Sequence, residues 1–149
     1  MQRIETNSFE FELPANWTYV AEGRRLVCHG PDDEELIVSV SSVENAGGGP
    51  GDVFVDQLFE NALIAMRKTL ADPELVVVRD VAIEPSSSVV CSLSVARTSD
   101  NSVLFSQFAF RSVAAVLFAT LETGYSPRHM EIARSFLGSV RDRVAGPAV

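Results

Sequence analysis

Few residues in this chain are of a type and spacing that could do chemistry. His29 and His129 are the only histidines, and neither has a second metal ligand at helical spacing. Cys28 and His29 are adjacent on a strand-like run, so their side chains point to opposite faces and suit one metal poorly. Cys28 and Cys91 are not in a CxxC pair, and both read as buried, reduced thiols. Lys68 is the only lysine, on what reads as an exposed helix face, so Schiff-base chemistry would rest on one residue. Gly47–Gly51 precedes a helical pattern as a phosphate cradle would, but it lacks the lysine and hydroxyl of a P-loop, and Asp52 repels phosphate. Asp32-Asp33-Glu34-Glu35 lacks the glycine and distal acid of a calcium hand and reads as a solvated turn. His129 falls in the first turn of the last helical pattern, near the positive end of the dipole, which suits a neutral imidazole and implies no nucleophile. With no HExxH, GxSxG or SxxK motif either, the chain is expected to be no enzyme and to need no metal or cofactor.

The more informative polar residue is Gln107. It shares a strand face with Val103, Phe105 and Ala109, and the other face carries Leu104, Phe108 and Phe110. A sheet with one wet face alternates apolar and polar side chains. This strand does not, nor does the run Val113 to Leu121, so both are expected to be covered on both faces. A buried amide must find a partner or costs about 1–3 kcal/mol. It is met either inside the chain or by a polar group of a bound segment. Gln57, early in the first helical pattern, is a weaker candidate of the same kind. Val38 and Val40, on one face of the Glu35–Val43 strand, complete the residues assigned to partner binding: Gln107, Gln57, Phe105, Ala109, Val38 and Val40. The second cover is a helix, with the two helices on opposite faces, an N-terminal strand, another subunit or a ligand; the functional reading has another chain supply part of it.

The elements that must position these residues follow from periodicity. Phe9-Glu10-Phe11-Glu12-Leu13 alternates with period two, and Pro14 ends it. Trp17–Val20, Arg25–His29 and Glu35–Val43 read as further strands, joined by short turns. Asp52 caps a helix predicted to about Leu70, with Val55, Leu58, Phe59, Ala62, Met66 and Leu70 as its apolar stripe. Strands over Leu75–Ile83, Val89–Arg97, Val103–Arg111 and Val113–Glu122 follow. Ser126-Pro127 opens a last helix to about Arg143 that buries Met130, Ala133, Phe136, Leu137 and Val140. Residues 1–149 thus form one α+β domain, an antiparallel sheet of about six to seven strands with two amphipathic helices, and 144–149 a frayed tail.

The balance of 46% hydrophobic and 21% charged residues is that of a globular domain. At 149 residues it buries roughly 70% of its unfolded surface and needs no disulfide or metal to fold. A net charge of −8 argues against nucleic acid as a partner. Residues 1–60 hold twelve acids against three arginines, so the N-terminal third carries nearly all the negative field. The longest uncharged apolar run, Ser112 to Leu121, is about half a membrane span. Met1-Gln2-Arg3-Ile4-Glu5 has no apolar signal core, so no stable membrane insertion and a cytoplasmic setting are expected.

The opening Phe9-Glu10-Phe11-Glu12-Leu13-Pro14-Ala15-Asn16-Trp17 resembles the F-x-F-x-L-P-x-x-W entry of PsbP-like bacterial domains. The order of the later elements, through Arg134-Ser135-Phe136, is similar to theirs over most of the chain. Within that group the chain looks like the effector-associated (Eag) chaperones of type VI secretion, related to DcrB-like proteins, although Thr18-Tyr19 follows the tryptophan where those chaperones often carry an acid. The resemblance implies an enzymatically inert dimer that shields apolar transmembrane segments of effectors, with Gln107 and Gln57 answering their polar groups. The alternative is an immunity-type inhibitor that binds a basic toxin through the acidic N-terminal third.

Overall fold

A computed structural model of the chain describes residues 1–42, 57, 60, 61, 64, 75–79, 90–98, 102–111, 115–124 and 128–143. They form two antiparallel sheets and a helix. The small sheet has the order β1-β2-β10, with β1 Gln2–Glu5, β2 Phe9–Leu13 and β10 Arg141–Asp142. The large sheet has the order β3-β4-β5-β9-β8-β7-β6. Its strands are β3 Thr18–Glu22, β4 Arg25–His29, β5 Glu35–Ser42, β6 Leu75–Arg79, β7 Val90–Thr98, β8 Val103–Arg111 and β9 Ala115–Gly124. The helix α1 spans Arg128–Ser139.

Short connections make most of these pairings. Between β3 and β4 the turn is Gly23-Arg24, with Glu22 opposite Arg25 and Gly23 at φ +62°. Positive φ at the first central residue is the glycine position of a hairpin turn that matches strand twist. The crossover is β5 against β9, where Leu36, Val38 and Val40 face Leu121, Ala119 and Leu117. It puts two apolar strands from distant parts of the chain at the sheet centre.

The alternation in β2 works as its pattern demands. Phe9, Phe11 and Leu13 are buried, and Glu10 and Glu12 face outward. The buried side chains join Leu36, Val38, Phe108, Phe110, Leu117 and Leu121 of the large sheet and Ala133, Phe136, Leu137 and Val140 in one core. Phe136 is its hub, meeting Phe11, Phe108 and Phe110 edge-on at 5.4, 5.3 and 5.8 Å between ring centroids. Such edge-to-face pairs add about 0.5–1.5 kcal/mol each beyond area burial.

Three expectations change. The opening strand β2 lies in a sheet of its own rather than in the large one, because β1, absent from the sequence reading, pairs with it from Gln2 to Glu5. The last helix stops at Ser139 instead of Arg143. Ser139 Oγ donates to the Phe136 carbonyl, Arg141 Nη1 donates to the Gly138 carbonyl at 2.7 Å, and Arg141–Asp142 then pair with Glu10 and Phe9 of β2. The chain exchanges one more helical turn for a ladder that closes the small sheet. In the acidic turn, Asp32 and Asp33 are exposed as expected, but Glu34 is buried. Of the first predicted helix, Gln57, Glu60, Asn61 and Ile64 are helical and exposed, and they occupy the face opposite the predicted stripe. The stripe, the Gly47–Gly51 loop, the Ser126-Pro127 cap and the tail lie outside the described residues.

Candidate functional site

Alternation along β8 sends Phe105, Gln107 and Ala109 to one face of the large sheet and Ser106, Phe108 and Phe110 to the other. All six are buried, so the chain by itself covers both faces of this strand and needs no second chain to do so. Gln107 is 1% exposed, and its Cα partners are Ser94 on β7 and Thr120 on β9. Neither its Nε2 nor its Oε1 has a hydrogen-bond partner among the described residues. The internal partner that sequence reasoning allowed for this amide is not found among the described residues. Both ends of a strong donor–acceptor group stay unpaired among the described residues, with Ser94 and Thr120 as the cross-strand neighbours.

The six residues assigned to partner binding do not form one surface. Phe105, Gln107 and Ala109 sit together on the face away from α1. Val38 and Val40 lie on the α1 side, across from Ala119 and Leu117, with Val38 buried in the main core and Val40 half-buried against it. Gln57 is exposed on its helix, and its Nε2 donates to Asn61 Oδ1 at 3.1 Å.

A polar arrangement that sequence reasoning missed lies on the α1 side. His129 is completely buried in the first turn of α1. Its Nε2 is 2.7 Å from Ser106 Oγ on β8, and its Nδ1 is 2.7 Å from Thr123 Oγ1 on β9. Thr123 Oγ1 donates its one hydrogen to the Gly124 carbonyl at 2.8 Å, so it accepts from Nδ1–H. Nε2 is then the acceptor for the Ser106 hydroxyl. Burial lowers the His129 pKa from 6.5 to about 4, so the ring is neutral at pH 7. The neutral imidazole expected from the helix position is present, and desolvation is its main cause. A Ser–His–Thr relay of this kind has nucleophile geometry, but Ser106 is 0% exposed and no substrate reaches its oxygen. Here the relay fastens α1 to two strands. Its sequence signal was the period-two placement of Ser106 among Leu104, Phe108 and Phe110, a polar residue on an apolar row.

The other titratable candidates separate as their strand positions dictate. Cys28 is buried with a free thiol pushed up to about 11 by burial, and His29 on the opposite face is exposed beside Glu35 at 4.0 Å. A thiol held protonated is a poor nucleophile. Glu122 stands directly across from Glu35, and burial, then the Glu35 charge, raise its pKa. Among the described residues there is no cluster of three or more His, Cys, Asp or Glu that could hold a metal ion. Among them, too, no helix is long and apolar enough to cross a membrane.

No family model and no curated protein matches this chain. Solved structures do match, among them a crystal structure from Bacteroides thetaiotaomicron VPI-5482 at 1.50 Å resolution. It aligns over 93% of this chain with a TM-score of 0.57 and 11% sequence identity. The chain spans 46% of that protein's length, about half of it. At this identity the likeness is one of fold: a β-rich domain of antiparallel sheets with a packed helix.

Proposed function

We propose that the protein is a non-catalytic binding module of PsbP-like type, a bacterial secretion chaperone or adaptor of the cytoplasm that shields an apolar segment of a client. The observation that carries this reading is Gln107, a buried amide with both polar atoms unpaired among the described residues and with Phe105 and Ala109 on either side. An apolar segment laid on that face buries its side chains against Phe105 and Ala109, and one of its own polar groups meets the amide. Because the free chain already covers this face, the client displaces what lies on it. Recovery of the unmade hydrogen bonds contributes to the exchange.

The acidic N-terminal third favours the alternative inhibitor less. Glu5 and Glu10 are engaged by Arg3, Glu22 by Arg25, and Asp32 by Arg128. The charge left to steer a basic toxin is smaller than the composition suggests.

Co-expression with the product of an adjacent gene, followed by pull-down at low and high salt, tests the proposal. Salt-tolerant capture of an apolar segment, weakened at least tenfold by Gln107→Leu, is the expected result. A strictly monomeric protein that captures no apolar segment overturns it, and capture that disappears with added salt transfers support to the inhibitor.

A further inference from the structure

The large sheet ends at β3, and no strand lies beyond it among the described residues. Every residue of this strand, Thr18-Tyr19-Val20-Ala21-Glu22, is exposed. Tyr19 is 48% exposed and Val20 57%, whereas Val27, the neighbour of Val20 on β4, is only 8% exposed. The apolar surface is therefore confined to the edge itself. Natural sheet edges are commonly blunted by lysine, proline, a bulge or an inward-pointing charge. β3 has none of these. Its register with β4 is unbroken from Thr18 to Glu22, and its one charge stands at the end, beside Arg25 at 3.5 Å.

The hairpin fixes which backbone groups the edge offers. Gly23-Arg24 is a two-residue loop, so the flanking pair Glu22 and Arg25 exchanges its backbone hydrogen bonds. With period two, Val20 and Thr18 also turn theirs to β4. Tyr19 and Ala21 turn theirs outward, and neither makes a backbone bond elsewhere among the described residues.

One antiparallel register lays the whole of β3 on the same strand of a second copy, with the two-fold axis at Val20. Val20 then faces the second copy's Val20, Tyr19 faces Ala21, and Thr18 faces Glu22. The outward groups of Tyr19 meet the outward groups of Ala21, as an antiparallel ladder requires. On one face each tyrosine ring lies beside a small alanine. On the other the two valines meet and extend the row of Val27 and Ile37. Glu22 comes opposite a threonine hydroxyl rather than another carboxylate, so no like charges are opposed.

We propose that β3 pairs with β3 of a second copy of this chain across this two-fold, joining the two large sheets edge to edge. The axis is perpendicular to the sheet, so the Gln107 faces of both copies lie on one side. The pairing does not rest on what that face binds: a monomer that still captures an apolar segment loses this inference and keeps the other reading. The contact is short, which makes the dimer weak and concentration-dependent. Each copy carries a net charge of −8, so salt strengthens it.

Sedimentation velocity from about 1 µM to about 1 mM, paired with amide hydrogen exchange, tests this. The mass should rise from monomer to dimer with concentration, and more so at high salt. The Tyr19 and Ala21 amides should gain protection in step with the dimer, while the Val20 amide is protected throughout. Ala21→Pro removes an outward donor and leaves the β3–β4 ladder intact, and Val20→Lys sets two ammonium groups face to face on the axis. Each should weaken association at least tenfold. The proposal is overturned by a chain that stays monomeric over the whole range, by a dimer that both variants leave unchanged, or by a dimer in which the Tyr19 and Ala21 amides exchange as in the monomer. Protection that appears only when a client is added to a monomeric chain overturns it too. Should both variants fail to fold, the exchange pattern of the native chain decides alone.

Discussion

Ser106 and Gln107 are adjacent in sequence, both almost wholly buried, and opposite in fate. Ser106 points towards α1 and finds His129 at 2.7 Å. Gln107 points the other way and finds no hydrogen-bond partner among the described residues. The two faces of one strand thus follow different rules. The α1 face has every buried polar group of its relay paired and belongs to the rigid core. The Gln107 face leaves hydrogen-bonding capacity unused, which is a cost in the free chain and a handle for a bound one. The identity of a polar residue did not decide its role; what packed over it did.

The comparison can be attacked from the core outward. Phe136→Ala removes the hub of the α1 face and should cost about 3–5 kcal/mol in a urea unfolding series. A loss under about 1 kcal/mol would show that α1 does not hold this face together.

Acid should loosen the same face. The unfolded chain takes up a proton on His129 as pH falls through 6.5, whereas the folded chain refuses it until about pH 4. Stability tied to the neutral ring is therefore complete above about 6.5 and is lost progressively towards pH 4, on the order of 3 kcal/mol in all. Urea midpoints from pH 7 to pH 4 for the native chain and for His129→Leu measure it. The variant should show the shallower slope, and parallel slopes would contradict a buried, neutral His129.

Ser106→Ala strands the His129 Nε2 acceptor and should destabilise by about 1–3 kcal/mol. Gln107→Leu, one position along, should do the reverse. It replaces two unpaired atoms by apolar ones of similar size and should leave stability unchanged or raise it by about 1 kcal/mol. A destabilising Gln107→Leu would mean that the amide has a structural partner, and the contrast between the faces would fall. Smallest of all is Arg3→Ala. It removes an exposed pair with Glu10 at 2.6 Å and should leave the urea midpoint nearly unchanged, with any shift shrinking further in high salt.

Most strands were legible because period-two alternation reports burial on one side directly. Phe9–Leu13, Arg25–His29 and Val103–Arg111 coincide with β2, β4 and β8. The four-residue β1 was not, because in Gln2-Arg3-Ile4-Glu5 only Ile4 is buried, and one apolar residue has no period. The end of α1 was misplaced because Val140 continues the helical stripe while belonging to the same core from outside the helix. At the candidate site, the unusual burial of Gln107 was readable from its row. The partners of His129 were not, since Ser106 and Thr123 lie 23 and 6 residues away, and the longer contact exists only through β8–β9 pairing.

By itself the sequence determined which side chains are apolar, how they repeat, and hence that antiparallel strands and an amphipathic C-terminal helix form. These are local consequences of side-chain period and turn chemistry. Tertiary structure alone decided which face each strand turns to the helix, that Val38 and Gln107 lie on opposite sides of one sheet, that His129 is satisfied while Gln107 has no partner among the described residues, and that Glu34 is buried. Hydrogen-bond satisfaction depends on what approaches from distant parts of the chain, and no local pattern encodes that approach.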